Sequence, residues 1–207
     1  MSFSAILTLV VILPIVGFSV VSLAVIVDKF VFLSKNKIDV DFFKKYFLKK
    51  DILSLKKDIE LEKNTLLNNL LNEILTTKFT SKNELEEYID AQITVVHIEY
   101  QKRLNYLGIF AKLSTLTGFM GTVLGMIISF NNIVEKGVST ASVVAGGISA
   151  ALITTAVGLI VAIPITFFND YFNNKVELET QKYQIIISEV LSLLFRKEKR
   201  SNETQNS

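Results

Sequence analysis

Hydroxyl-bearing and small side chains, rather than acids, bases or thiols, make up the polar chemistry of the longest apolar stretches of this sequence. Leu113–Val134 contains Ser114, Thr115, Thr117, Gly118, Gly121, Thr122, Gly125 and Ser129. Gly137–Asn169 contains Gly146, Gly147, Ser149, Ala150, Ala151, Thr154, Thr155, Ala156 and Gly158. Neither stretch holds Asp, Glu, Lys, Arg or His, and Met1–Val27 is equally free of charge. A proton relay through membrane side chains needs titratable groups, which are found there despite an insertion cost of about 2.5–3.5 kcal/mol each. This chain alone therefore has no such relay. A hydroxyl can instead offer hydrogen bonds to a polar or ionic group brought in by another chain, or close on its own helix at the i−4 carbonyl. Gly121 and Gly125 form a small-xxx-small spacing, which lets helix backbones approach closely.

Other chemistry is sparse. His97 is the single histidine and there is no cysteine, so nothing completes a metal site, a disulfide framework or a thiolate centre. His97 reads as a solvated or packing residue. The sequence contains no nucleophile–base pair, metal cluster or phosphate loop, so an enzyme is not expected and no cofactor is implied. A net charge of +2 does not indicate the strong basic field of a nucleic-acid binder.

The elements that position these hydroxyls follow from the charge pattern. Half of the residues are hydrophobic and the mean hydropathy is +0.42, which is high for a soluble fold. Each of the three charge-free runs exceeds the roughly 18 residues that mark a spanning candidate. The first lacks a basic n-region, and its basic residues begin only at Lys29, as in an uncleaved anchor with its N-terminus outside. Of 22 Lys and Arg, 14 lie between Lys29 and Arg103 and 6 between Lys175 and Arg200, which puts both segments on the cytoplasmic side. The expected organisation is all-α. A first transmembrane helix occupies residues 1–28, a cytoplasmic helical region 29–104 and a second transmembrane helix 105–134. A short periplasmic loop at 135–141 leads to a third transmembrane helix at 142–169, then a cytoplasmic helix and disordered tail at 170–207.

Periodicity refines this outline. Pro14 lies inside the first span, where a missing backbone donor can kink a helix. Phe42, Phe43, Tyr46, Phe47 and Leu48, interleaved with lysines, predict a helix near the inner membrane surface. Leu55, Ile59, Leu66, Leu67, Leu70, Leu71 and Ile74 predict one or two short helices. Ser81 with Glu84 three residues on has the form of a capping box. Leu85, Ile89, Ile93, Val96, Tyr100 and Leu104 then recur every three or four residues, which predicts one long helix running into the second span. Val176, Tyr183, Ile187, Val190, Leu191 and Leu194 continue the third span into a helical stripe. The second and third spans thus extend into a cytoplasmic helical bundle.

The segments LSTLTGFMGTVLGMIISF from Leu113, GGISAALITTAVGLIVAIPITFFNDYF from Gly146 and PIVGFSVVSLAVIVDKFVFL from Pro14 resemble the ExbB/TolQ/MotA family of ion-driven motor subunits. Three spans in 207 residues match the ExbB/TolQ branch better than the flagellar one. The resemblance implies a homo-pentamer in the bacterial inner membrane whose second and third spans line a central pore. That pore encloses the single transmembrane helices of an ExbD/TolR-like partner, whose aspartate carries a proton or sodium ion. It also implies a TonB-like or other envelope component as recipient of the work. Thr122 corresponds to the threonine of the family's Gly-Thr-Val motif, and Thr155 to the threonine before the Ala-x-Gly of the third span. Thr122, Thr155, Thr154 and Ser114 are the candidate ion-pathway residues, and Gly118, Gly121, Gly125, Gly147 and Gly158 the candidate helix-packing residues. The sequence departs from the family where a glutamate is common, at Ala150, and where Ala-Pro is common, at Ser114 and Thr115. Losing the glutamate removes the carboxylate of any exit route through that position. Hydroxyl-rich sites serve Na⁺ as well as H⁺, so the coupling ion stays open. The competing reading is a non-energised scaffold whose glycines and threonines only mediate oligomerisation; a channel conducting Na⁺ without a partner is a further one.

Overall fold

The computed structural model describes residues 3–38, 40–41, 43–44, 66–77, 79, 81–136 and 141–205. Among them the regular structure is helical: α1 (Phe3–Lys35), α2 (Leu66–Thr76), α3 (Lys82–Gln101), α4 (Leu104–Lys136) and α5 (Ala141–Gln205). Three helices are long and apolar enough to cross a membrane. The expected surface helix around Phe47 and the short helix around Leu55 and Ile59 lie outside the described residues, as does most of the loop at 135–141.

The chain divides into two compact units, one of residues 1–29 and 103–173, the other of residues 30–102 and 174–207. In the first unit the charge-free parts of α1, α4 and α5 pack together. Its interior holds Val11, Ile15, Leu104, Leu107, Ala111, Ala151, Ala162 and Ile165. Its outer surface is apolar too, with Leu13, Val20, Phe119 and Ile160 all more than 60% exposed. Such a continuous apolar exterior is a liability in water and suits contact with lipid or another apolar helix. α1 continues unbroken through Pro14, and α5 through Pro164. Each proline leaves one carbonyl without its helical donor, which membrane helices accommodate through their neighbours.

The second unit is assembled from the stripes. α2 buries Leu67, Leu70, Leu71 and Ile74, while α3 buries Leu85, Ile89, Val96 and Tyr100. Ser81 caps α3, its Oγ accepting from the Glu84 backbone N–H at 3.2 Å. The Tyr100 ring stands edge-on to Phe32 and Tyr183, and its hydroxyl donates to the Asn36 carbonyl at 2.9 Å. The buried Glu179 accepts from the Ile38 backbone N–H at 3.3 Å and pairs with Lys182 at 2.7 Å. These polar contacts fasten the end of α1 to the second half of α5 without leaving the carboxylate unpaired, the condition under which a buried charge is tolerated. His97 Nδ1 lies 3.2 Å from the Thr180 hydroxyl.

Two expectations are corrected. The predicted single helix from Leu85 into the second span is interrupted, because α3 ends at Gln101 and α4 begins at Leu104. The Lys102 N–H still bonds the Ile98 carbonyl, but Arg103 turns to a left-handed φ of 68°. A non-glycine residue there costs of order 1–3 kcal/mol. The Arg103 guanidinium meets Asp28 at 3.0 Å, a pair within the first unit that favours this conformation. Apolar spacing stays in phase across the break, with Tyr100 and Leu104 both buried, so periodicity alone conceals it. The predicted disordered tail is helical through Gln205. Arg196–Arg200 consists of good helix formers, and extending an existing helix carries no nucleation cost.

Candidate functional site

The hydroxyls and glycines of the second and third spans converge on one seam of the first unit. Residues 118, 121, 125 and 129 of α4 face residues 158, 154, 151 and 147 of α5 in turn. Numbers rise along one helix as they fall along the other, so the pair is antiparallel. Steps of three and four residues keep each set on one helix face, and the facing positions are small residues.

Close approach is what those residues permit. A Cβ at Gly118 would sit 3.0 Å from the Thr154 carbonyl oxygen and 3.1 Å from Gly158 Cα. One at Gly158 would sit 2.7 Å from the Ser114 carbonyl oxygen and 3.0 Å from Gly118 Cα. At Gly125 it would meet the Ala151 Cβ at 2.6 Å, and at Gly147 the Ser129 hydroxyl. Gly121 is crowded by the Thr154 side chain and by Val11, which brings α1 to the same level. All five glycines chosen from sequence therefore lie on the seam. Ala151 and Ser129, small residues of the same stretches that were not among the helix-packing candidates, complete it. Their signal was available in the spacing of small residues by three or four on both helices, at 118, 121, 125 and 129 and at 147, 151, 154 and 158.

The four candidate hydroxyls occupy two environments. Ser114 and Thr154 are buried in the seam, at 0% and 4% exposure. Among the described residues the Ser114 hydroxyl has no hydrogen-bond partner; Thr154 Oγ1 donates to its own helix at Ala151 O, 2.6 Å away, and lies 3.4 Å from Gly118 O. Thr122 and Thr155 are half-buried. Thr155 Oγ1 donates across the helix pair to Gly118 O at 3.0 Å, whereas Thr122 Oγ1 donates locally to Phe119 O at 2.6 Å. Because Gly121 faces Thr154 and the helices run antiparallel, their chain neighbours Thr122 and Thr155 are offset by about 3 Å along the pair, less than one helical turn. Each hydroxyl proton is held by a carbonyl, which leaves the oxygen lone pairs of Thr122 and Thr155 as accessible acceptors. Acceptors of this kind can take a hydrogen bond from a protonated carboxyl or help to coordinate an alkali cation. Ala150 is exposed on α5.

The fold and this seam define a three-span helical membrane protein whose charge-free spans present hydroxyls on an antiparallel helix pair. Residues 58–185 match the model of the MotA/TolQ/ExbB proton channel family, and the chain belongs to that family. It is 34% identical to the biopolymer transport protein ExbB of Aquifex aeolicus over 114 residues, 55% of this chain and 70% of that protein. It is 30% identical to the putative biopolymer transport protein ExbB-like 3 of Synechocystis over 176 residues, 80% of this chain and 81% of that one. The Tol-Pal system protein TolQ of Pseudomonas aeruginosa is 34% identical over 94 residues, 45% of this chain and 41% of that protein. The solved structure of C. jejuni MotAB shares the fold, with a TM-score of 0.65 at 14% identity, covering 93% of this chain and 78% of that one.

Proposed function

We propose that the chain is the pore-forming subunit of a proton- or sodium-driven motor of the bacterial inner membrane, closest in role to ExbB and TolQ. In this reading five copies surround the single transmembrane helices of an ExbD/TolR-like partner. The partner's aspartate is neutralised and released beside Thr122 and Thr155 as ions cross, and the resulting movement does mechanical work on a TonB-like or other envelope component. The chain acts by ion passage and coupling, not by catalysing a covalent reaction. Each elementary charge crossing supplies about 2.3 kcal/mol per 100 mV, so a few ions suffice for a mechanical step.

The observation that carries this reading is the hydroxyl-bearing helix pair whose runs Leu113–Val134 and Gly137–Asn169 hold no ionisable group, which supplies acceptors and leaves the carboxylate to another chain. The scaffold reading draws on the same hydroxyls, since Thr122 and Thr154 donate within their own helices. Ion flux separates the two. The purified chain reconstituted in vesicles with a single-span, aspartate-bearing partner is expected to pass H⁺ or Na⁺ down an imposed potential. The chain alone, or with the partner's aspartate changed to asparagine, is expected to stay at the empty-vesicle rate. Absence of flux in the intact pair would favour the scaffold.

A further inference from the structure

A cavity of about 470 Å³ lies within the first unit, lined among others by Gly108, Lys112, Thr115, Thr166, Asn169 and Asp170. Lys112 directly precedes the charge-free run Leu113–Val134, and Asp170 directly follows the run Gly137–Asn169. The cavity therefore sits where an apolar span gives way to lipid headgroups. Gly108 contributes no side chain to its wall, and a Cβ there would lie 3.7 Å from the Asn169 amide oxygen.

Its polar groups are unusual in combination. Lys112 and Asp170 line one cavity, yet among the described residues no ion pair joins them. Asp170 Oδ1 accepts only a neutral donor among the described contacts, Asn169 Nδ2 at 3.2 Å. Thr115 and Thr166 donate to the Ala111 and Ala162 carbonyls of their own helices at 3.2 and 2.9 Å, so their oxygens remain as acceptors. A simple anion attracted to Lys112 would meet Asp170, and a simple cation attracted to Asp170 would meet Lys112. A zwitterion satisfies both.

The order of the two charges also fits. In the register defined by Gly118 with Gly158 and by Gly108 with Asn169, Lys112 lies deeper in the span than Asp170. The offset is about five residues, roughly 7 Å along the helix. A phospholipid phosphate adjoins the hydrocarbon, with its amine further out. We propose that this cavity binds the headgroup of a phosphoethanolamine phospholipid, the phosphate on Lys112 and the Asn169 amide, the ammonium on Asp170. Leu116, 61% exposed beside the cavity, offers apolar surface to the first acyl carbons. This inference rests on the membrane placement and is independent of ion coupling, so a failure to conduct ions would leave it standing.

Native mass spectrometry of the full chain in detergent, titrated with phosphatidylethanolamine or phosphatidylglycerol, tests the site. The unaltered chain is expected to retain phosphatidylethanolamine with a several-fold preference. Asp170→Asn is expected to abolish or invert that preference, and Lys112→Gln to weaken both lipids. Helical circular dichroism identifies any misfolded variant, in which case the other one decides. Equal retention of the two lipids by the unaltered chain, or a preference unchanged in a folded variant, overturns the proposal. Full displacement of the lipid by soluble phosphoethanolamine overturns the lipid source, because it would mean that the headgroup zwitterion alone suffices.

Discussion

Gly158→Ala is expected to destabilise the helix pair by about 1–3 kcal/mol, the usual range for overpacking a tight interior, although it adds only one methyl group. The new Cβ would lie 2.7 Å from the Ser114 carbonyl oxygen and 3.0 Å from Gly118 Cα. Both obstacles are backbone, and neither can swing aside as a flexible side chain would. Intrinsic propensity works the other way, since Ala is favoured over Gly in a helix by about 1 kcal/mol. A net loss of stability would therefore report the seam. Gly146→Ala is the internal control, because a Cβ there meets nothing within 4 Å. Thermal denaturation of the purified protein in detergent should show a lower midpoint for Gly158→Ala and an equal or higher one for Gly146→Ala. Equal midpoints for all three proteins would mean that α4 and α5 do not pack through these glycines.

Thr155→Val is expected to separate stability from function. Valine keeps the shape of threonine and removes the hydroxyl that donates to Gly118 O across the helix pair. Interhelical hydrogen bonds in membranes average about 0.6 kcal/mol, with a maximum near 1.7 kcal/mol, so the assembled protein should survive. If Thr155 stands beside the partner's aspartate, energised ion flux falls by more than about tenfold, a larger loss than a 0.6 kcal/mol effect produces. Thr155→Ser, which restores the hydroxyl, should recover most of the flux. Full flux in Thr155→Val would remove this residue from the ion path and leave it a packing role.

Much of this architecture was legible because it follows from solvent physics. A bilayer tolerates long charge-free helices and few other structures, so the three apolar runs announce the spans directly. The glycines at 118, 121, 125 and 158 were visible as close-packing residues for the same reason, since small residues let membrane helices approach. Which residue faces which was not legible, because register depends on both helices at once. Gly147 could be chosen from composition, but its opposition to Ser129 emerges only from the antiparallel pairing. The break at Lys102–Arg103 was hidden because no Gly or Pro marks it. It is held by a left-handed arginine whose pairing with Asp28 bridges 75 positions of sequence. The helical end of α5 was missed for the opposite reason, since a charged, polar terminus was read as disorder although its residues favour helix.

The lone pairs of Thr122 and Thr155 matter only if a guest helix lies against them. The chain has no cysteine, so single-cysteine variants report without background. Disulfide cross-linking of Thr155→Cys to a cysteine placed one turn from the aspartate of the partner's transmembrane helix, in native membranes, tests this contact directly. A cross-linked heterodimer is expected with Thr155→Cys and with Thr122→Cys, and none with Ile160→Cys, which projects from the outer apolar surface. Cross-linking at Ile160→Cys but at neither threonine would place the guest helix on a different face and contradict the account.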